Sequence, residues 1–288
     1  MDEYTKKTKE WLEQRYKDRD EKGFYKSHAP IYGFSKDGFH LGLYRNNYSI
    51  LKEIEKIVSE YEIGTFLEVG CAEGYTAHLV KEIFGFRIAV CDLSSEAIKR
   101  AKEIYGFSGF VADAQALSSI GDGSFDLVLC SETIEHVPNP NEAFRELMRV
   151  AKKVLIITVP AAKNRKVKEN FIPPDEPHTH LNIFTKEKIK SLGQAGEVRG
   201  VFLNWLNRII GLIFSPRRRP FCIHIAKVVI KVDYLLGGIL PSGALTYLGV
   251  FKKCPPEFER RPKKIRNILD YMLKESGVKP HFIKSRYE

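Results

Sequence analysis

The sequence predicts an α/β fold, a doubly wound and mostly parallel sheet with helices on both faces. Three observations carry that prediction. Residues 65 to 80, TFLEVGCAEGYTAHLV, pass from a short apolar run through a glycine-punctuated turn into a helical pattern. A second apolar run, Arg87-Ile88-Ala89-Val90-Cys91-Asp92, follows it and ends in an acid. Strand-like and helix-like segments then keep alternating, which is how a parallel sheet becomes covered on both sides.

Residues 1 to 22 are charged and helix-forming, with Trp11, Leu12 and Tyr16 available for docking. Residues 23 to 48 are rich in Gly, Tyr, Phe and His and read as irregular, so 1–48 is taken as a cover segment. Its aromatic and polar residues include Tyr25, His28, Tyr32, Phe34, His40, Tyr44 and Arg45. Ile50, Leu51, Ile54, Ile57 and Val58 recur at helical spacing. Strands are expected near 65–69, 87–91, 108–112, 125–130 and 153–159, and helices near 75–84, 94–105, 141–150 and 185–194. Ser94 is placed to cap one of these helices. Gly121-Asp122-Gly123, and Pro138 with Pro140, mark loops.

After Gly196 the pattern changes. Strands are expected near 197–203 and 246–251, separated by about forty residues, far more than a hairpin loop holds. Trp205 to Phe214 is mostly apolar, and Arg217-Arg218-Arg219 stands between two prolines. Phe221 to Leu236 is apolar except for His224, Lys227, Lys231 and Asp233. This insert, 204–243, reads either as a lid packed on the domain or as an amphipathic surface for anionic lipid. The expected domain is 49–253, and a basic tail, 254–288, carries a helix near 258–275.

The turn at 70–74 has a chemical meaning. Glycines let the backbone approach a ligand closely, and the following helix presents unpaired N–H groups. Glu68 is an acid in an apolar strand, costly to bury without a partner, so it is either an acceptor for the turn or a ligand contact. Asp92 stands roughly 20 residues beyond the turn, where an acid accepts hydrogen bonds from ribose hydroxyls. A dinucleotide fingerprint would need glycines where Ala72 and Tyr75 stand, which weakens that reading.

The order Glu68, Gly70, Gly74, then Asp92, then Val111-Ala112-Asp113-Ala114, then Ser124 to Glu132 resembles the class I S-adenosylmethionine-dependent methyltransferases, of the type 11-like kind that acts on small molecules and glycans. Ala72 replaces the usual middle glycine. The resemblance covers roughly residues 60 to 200 and is carried by four motifs in order. It implies a Rossmann-like sheet with one antiparallel strand and S-adenosyl-L-methionine as cofactor. It also implies contacts of Gly70, Cys71 and Ala72 with the methionine part. Asp92 and its neighbour Leu93 would meet the ribose, and Asp113 and Ala114 the adenine. Ser131 at the end of the fourth strand completes the set.

Composition sets the outer bounds. The 288 residues are 43% hydrophobic and 28% charged, which describes a globular chain. Cysteines 71, 91, 130, 222 and 254 form no C-x-x-C pair and read as reduced thiols of a cytosolic protein. The polar beginning carries no apolar signal region, and no apolar run is long enough to span a bilayer. Residues 201 to 288 hold 17 Lys and Arg against 6 Asp and Glu, whereas the first 200 residues hold 29 against 30. Attraction to anionic partners therefore belongs to the last third.

The acceptor side is expected at Cys130-Ser131-Glu132-Thr133-Ile134-Glu135-His136, beyond the fourth strand. His136 is the candidate general base. A second cluster, 173 to 185, contains His178 and His180 as candidate substrate contacts. Glu132, Glu135, His136, His178 and His180 also resemble the divalent-ion ligands of small-RNA 3′-terminal 2′-O-methyltransferases, but no metal is assigned from the sequence. The expected reaction is O-methylation of a small molecule, a sugar or a lipid-linked glycan in the cytoplasm, with peripheral membrane contact through 204–243. No nucleic-acid module is recognisable. The alternatives are a metal-assisted RNA 2′-O-methyltransferase and a non-catalytic binder of the cofactor.

Overall fold

The computed structural model describes residues 1–19, 25, 41–161, 176–193, 196–203, 205–206, 223–240, 243–258 and 265–275. His28, Tyr32, Phe34, His40, Cys222, Arg217 to Arg219 and Pro173 to Asp175 lie outside them.

Seven strands form one sheet in the order β3-β2-β1-β4-β5-β7-β6. They are β1 (Thr65–Val69), β2 (Arg87–Asp92), β3 (Gly109–Val111), β4 (Phe125–Ser131), β5 (Ala151–Pro160), β6 (Gly196–Leu203) and β7 (Ala244–Lys252). The pairs from β3 to β5 are parallel, and β7 runs antiparallel to both β5 and β6. This is the mostly parallel, Rossmann-like sheet with one reversed strand.

The helices are α1 (Glu3–Lys17), α2 (Leu41–Glu60), α3 (Tyr75–Phe84), α4 (Ser95–Tyr105), α5 (Pro140–Val150), α6 (Lys186–Leu192) and α7 (Ile223–Ile239). Strand alternation divides the core. Phe66, Leu127, Leu129, Val154 and Ile156 face the side covered by Ile50, Leu51 and Ile54 of α2. Leu67, Val128, Cys130, Leu155 and Ile157 face Phe144 and Leu147 of α5. Cys71, Cys91 and Cys130 are free and buried.

Four details depart from the sequence reading. The helix expected from Ile50 onward begins at Leu41, and β3 is shorter than 108–112. Among the described residues the tail is irregular over 265–267 and helical over Ile268–Asp270 and Tyr271–Glu275, and 259–264 lie outside them. Asp233, given no role from the sequence, is wholly buried and pairs with buried Arg45. Its carboxylate also accepts the Phe202 and Leu203 N–H groups at 2.9 and 2.8 Å, so α7 is stitched to β6 and α2 by one acid. Gly237 allows that approach, because a Cβ there would lie 2.1 Å from the Gly200 carbonyl oxygen. Among the described residues, no helix is long and apolar enough to cross a membrane.

Candidate active site

The carboxyl ends of β1, β2 and β4 open into a cavity of about 340 Å³, with α1 across one side. Of the site residues expected from the sequence, all but Gly74 line it. Two halves can be distinguished.

The first half is the β1–α3 turn. Gly70, Ala72 and Gly74 all have positive φ, at 73°, 51° and 82°. At Gly70 the demand is also steric: a Cβ would meet Thr133 Oγ1 at 2.2 Å. Ala72 stands in the left-handed region without being glycine, a strained choice for an alanine. The Gly70 and Cys71 N–H groups donate to the Cys91 carbonyl at 2.9 and 3.1 Å. The Ala72 N–H donates to Asp92 Oδ2 at 2.9 Å, and Asp92 Oδ1 accepts the Ser94 N–H at 2.9 Å. The N–H groups of 70–72 are thus committed to the fold. Asp92 clamps the loops as well as facing the cavity.

Glu68 lies at the floor, where its Oε2 accepts the Ala77 N–H at 2.9 Å and so joins β1 to the first turn of α3. Burial pushes its carboxyl up to about 8, despite the opposing Ala77 N–H and Thr76 hydroxyl. Asp113 accepts the backbone N–H of Gln115 at 2.9 Å, which shapes the loop that carries Ala114. Leu93 packs against α1, and its carbonyl accepts Lys9 Nζ at 3.0 Å. Ser131 Oγ shares a hydrogen bond of 2.7 Å with Thr158 Oγ1.

The second half lies beyond β4. Glu132 and His178 are non-glycine residues with φ of 49° and 56°. His136 Nδ1 is 2.9 Å from the Thr179 carbonyl oxygen. A carbonyl can only accept, so Nδ1 carries the proton and Nε2 keeps its lone pair. Nε2 is 3.6 Å from Glu135 Oε1. Among the described residues neither Glu135 oxygen has a hydrogen-bond partner, although the residue is buried. Burial, and then the Glu132 carboxylate, raise the Glu135 carboxyl well above the usual range. Burial, and then neighbouring His178, push His136 down to about 3, so its imidazole is neutral near pH 7. The ring centroids of His178 and His180 lie 3.9 and 4.8 Å from that of His136.

Among the described residues the cavity is rich in acceptors and poor in cations. Glu68, Glu73, Asp92, Asp113, Glu132 and Glu135 line it, with Arg15 as the one guanidinium or ammonium among those described. That balance fits a cationic, hydroxyl-bearing ligand such as a sulfonium nucleoside and disfavours a phosphate.

The comparisons agree with this geometry. The family model described as "Methyltransferase domain" matches residues 67–157, which run from the Glu68 strand through the His136 loop to β5. The chain carries a class I S-adenosylmethionine-dependent methyltransferase domain. The cofactor of that class is S-adenosyl-L-methionine, and the acceptor-rich methyltransferase cavity suits it. Norajmaline N-methyltransferase of Rauvolfia serpentina is 30% identical over 152 residues, covering 50% of this chain and 50% of that protein. A ubiquinone biosynthesis O-methyltransferase of Paraburkholderia xenovorans is 25% identical over 191 residues, covering 60% and 76%. A methyltransferase structure from Galdieria sulphuraria superposes with TM-score 0.53 at 17% identity, covering 88% of this chain and 98% of that one, and shows the shared fold. The chain spans half the length of the first of these relatives, so the match is one of domain.

Sequence reasoning missed Tyr4, Thr8, Asn46 and Thr133 at this methyltransferase site. The first three come from helices outside the motifs and approach only in the fold. Thr133 lies inside a quoted motif, but nothing in its type announces that it fills the space left by the missing Gly70 side chain.

Proposed function

We propose that this chain transfers a methyl group from S-adenosylmethionine to an oxygen of a small molecule, a sugar or a lipid-linked acceptor. The observation that carries the reading is the pairing, in one cavity, of an acceptor-rich β1–β2 end with a neutral imidazole whose Nε2 lone pair stands against Glu135. The cofactor supplies a methyl group on a sulfonium, a leaving group already charged. The domain orients the acceptor in line with that methyl and removes one proton. As the acceptor oxygen forms its bond to carbon and the sulfur–carbon bond breaks, the hydroxyl proton passes to His136 Nε2. The Glu135 carboxyl, its Oε1 3.6 Å from Nε2, would turn an oxygen lone pair towards the imidazolium N–H. His178 and His180 wall the acceptor end.

Oxygen is favoured by this proton-accepting pair and by the O-methyltransferase among the relatives. The N-methyltransferase among them is the reason to test nitrogen acceptors too. A lipid-linked acceptor is supported by α7, whose outward residues Val228, Leu235 and Ile239 are 61, 63 and 73% exposed around exposed Lys231, with no acid among them. This reading places the enzyme in the cytoplasm, touching the membrane surface through 204–243. Cell extract incubated with methyl-labelled donor is the test. Label in a lipid or glycan hydroxyl fraction supports the reading, and label confined to RNA, protein or amines overturns it.

A second reading adds a divalent cation. Glu135, His136 and His180 each bring a ligand atom within 4.8 Å of the others, and the Glu135 oxygens lack hydrogen-bond partners. One oxygen and two nitrogen donors suit a first-row divalent ion, which would hold the acceptor oxygen directly. Metal analysis of purified protein, and methyl transfer before and after chelation, decide between the two. Unchanged transfer by metal-free protein eliminates the ion. If the ion is present, RNA binding that weakens steeply with salt would mark a nucleic-acid acceptor.

A further inference from the structure

His136 serves either reading only if its Nε2 is the bare nitrogen, and what fixes that lies in α1. The Tyr4 hydroxyl donates to the Thr179 carbonyl at 3.3 Å and accepts the Thr179 N–H at 3.1 Å. It therefore holds both ends of one residue's backbone. The same carbonyl accepts the His136 Nδ1–H at 2.9 Å. One turn along α1, Thr8 Oγ1 accepts the His178 N–H at 3.3 Å, and the Trp11 ring lies 4.8 Å from the His178 ring. Tyr4, Thr8 and Trp11 follow i, i+4, i+7 spacing, so one face of α1 grips a loop whose His178 has φ of 56°.

The next residues of α1 serve the other half. Leu12 and Tyr16 pack with Ala97, Ala72 and Leu93. Glu13 accepts from the Ser94 hydroxyl, the Ser95 N–H and hydroxyl, and the Glu96 N–H, all at 2.8–2.9 Å. The helix thus has two anchors, one on the cofactor side and one on the acceptor side.

We propose that Tyr4 is a positioning residue: through the Thr179 backbone it fixes the tautomer and aim of His136, and α1 ties that setting to closure over the cofactor. A carbonyl held in place selects Nδ1–H, as acceptors placed behind the ring do for histidines that work through Nε2. The inference rests on the reading that His136 acts at Nε2, but its test does not require turnover.

The test is nitrogen-15 NMR of histidine-labelled full chain saturated with S-adenosylhomocysteine, with His136 assigned from its loss in His136→Asn. Wild type should show one Nδ1–H tautomer at His136. Tyr4→Phe keeps the ring and should give a mixture of tautomers. Glu13→Gln loosens the same helix at its other anchor, with the Tyr4 hydroxyl intact. It should keep the single tautomer while weakening S-adenosylhomocysteine binding several-fold. An unchanged tautomer in Tyr4→Phe overturns the proposal, and so does equal scrambling in Glu13→Gln, which would make the effect one of helix packing. If Tyr4→Phe does not fold, Thr8→Val tests the same grip through the His178 N–H and should broaden the His136 signals. A tautomer shift in Tyr4→Phe, joined to undiminished label transfer by His136→Gln, would uphold the positioning and defeat the base reading alone.

Discussion

The two ends of the cavity satisfy their polar groups in opposite ways. At the β1–β2 end the backbone donors are spent on the fold: Gly70 and Cys71 on Cys91, Ala72 and Ser94 on Asp92, Ala77 on Glu68, with strain at Ala72 alone among its non-glycine residues. At the β4–β5 end the buried Glu135 carboxyl has no hydrogen bond among the described residues, two non-glycine residues hold positive φ, and three imidazoles crowd together. Unsatisfied groups and strain cost stability and persist where surrounding structure enforces them. On the proposed function the β1–β2 end is a rigid seat for the cofactor, and the β4–β5 end, which holds the stored cost, is where the chemistry would be performed.

The largest expected break between the ends comes from His136→Gln. Label transfer should fall by roughly 10²–10⁴-fold while donor binding stays within about twofold, because the change removes a proton acceptor and no part of the seat. A parallel loss of donor affinity, read by calorimetry, would erase the distinction. Gly70→Ala should do the reverse. Its Cβ would clash with Thr133 and its φ is positive, so unfolding in urea should show a loss of about 1–3 kcal/mol or more, with weakened donor binding.

Glu68 sharpens the comparison through pH. Its carboxyl is raised from 4.5 to about 8 in the folded chain. The folded state then binds more protons than the unfolded one between those values, and stability must fall as pH rises through that window. The fall can reach about 1.4 kcal/mol per pH unit for one proton. Glu68→Gln should flatten that slope, measured by denaturant midpoints from pH 5 to 8.

Smaller effects should oppose one another. Glu13→Ala removes a carboxylate held down to about 2, against its burial, by the Ser95 and Glu96 N–H groups and the Ser94 and Ser95 hydroxyls. It should cost about 1–2 kcal/mol, as lost caps do. Glu135→Gln relieves a buried acid with no hydrogen-bond partner and should leave stability unchanged or raise it by about 1 kcal/mol, while transfer is lost. A melting shift of the same sign in both would show that the acceptor end carries no special cost.

This contrast also explains what could be read from the chain. The seat was legible because its chemistry is local. Gly70, Gly74 and Asp92 announce themselves through a turn, a helix start and a strand tip in consecutive segments. Ser94 was legible as a cap for the same reason, and it accepts the Ala97 N–H. Glu68 was legible only as a pair of alternatives, and its bond to Ala77 shows the turn-acceptor one. The histidine cluster was visible as residue types, but not the tautomer of His136, which depends on Tyr4 from the far end of the chain. The role of Asp233 stayed hidden for a similar reason. Its partner, Arg45, is 188 residues away, so the sequence showed only a polar residue in an apolar run. The early start of α2 escaped because Leu41 to Ser49 packs polar side chains such as Arg45, Asn46 and Asn47 inward, against the apolar periodicity that marks a helix.

Titration of the purified chain with S-adenosylmethionine, and separately with its demethylated product, in a calorimeter tests the central claim most directly. Saturable binding of one equivalent of each ligand, weakened at least tenfold by Gly70→Ala, is the predicted result. Absence of heat and of any stabilisation with both ligands would contradict the account.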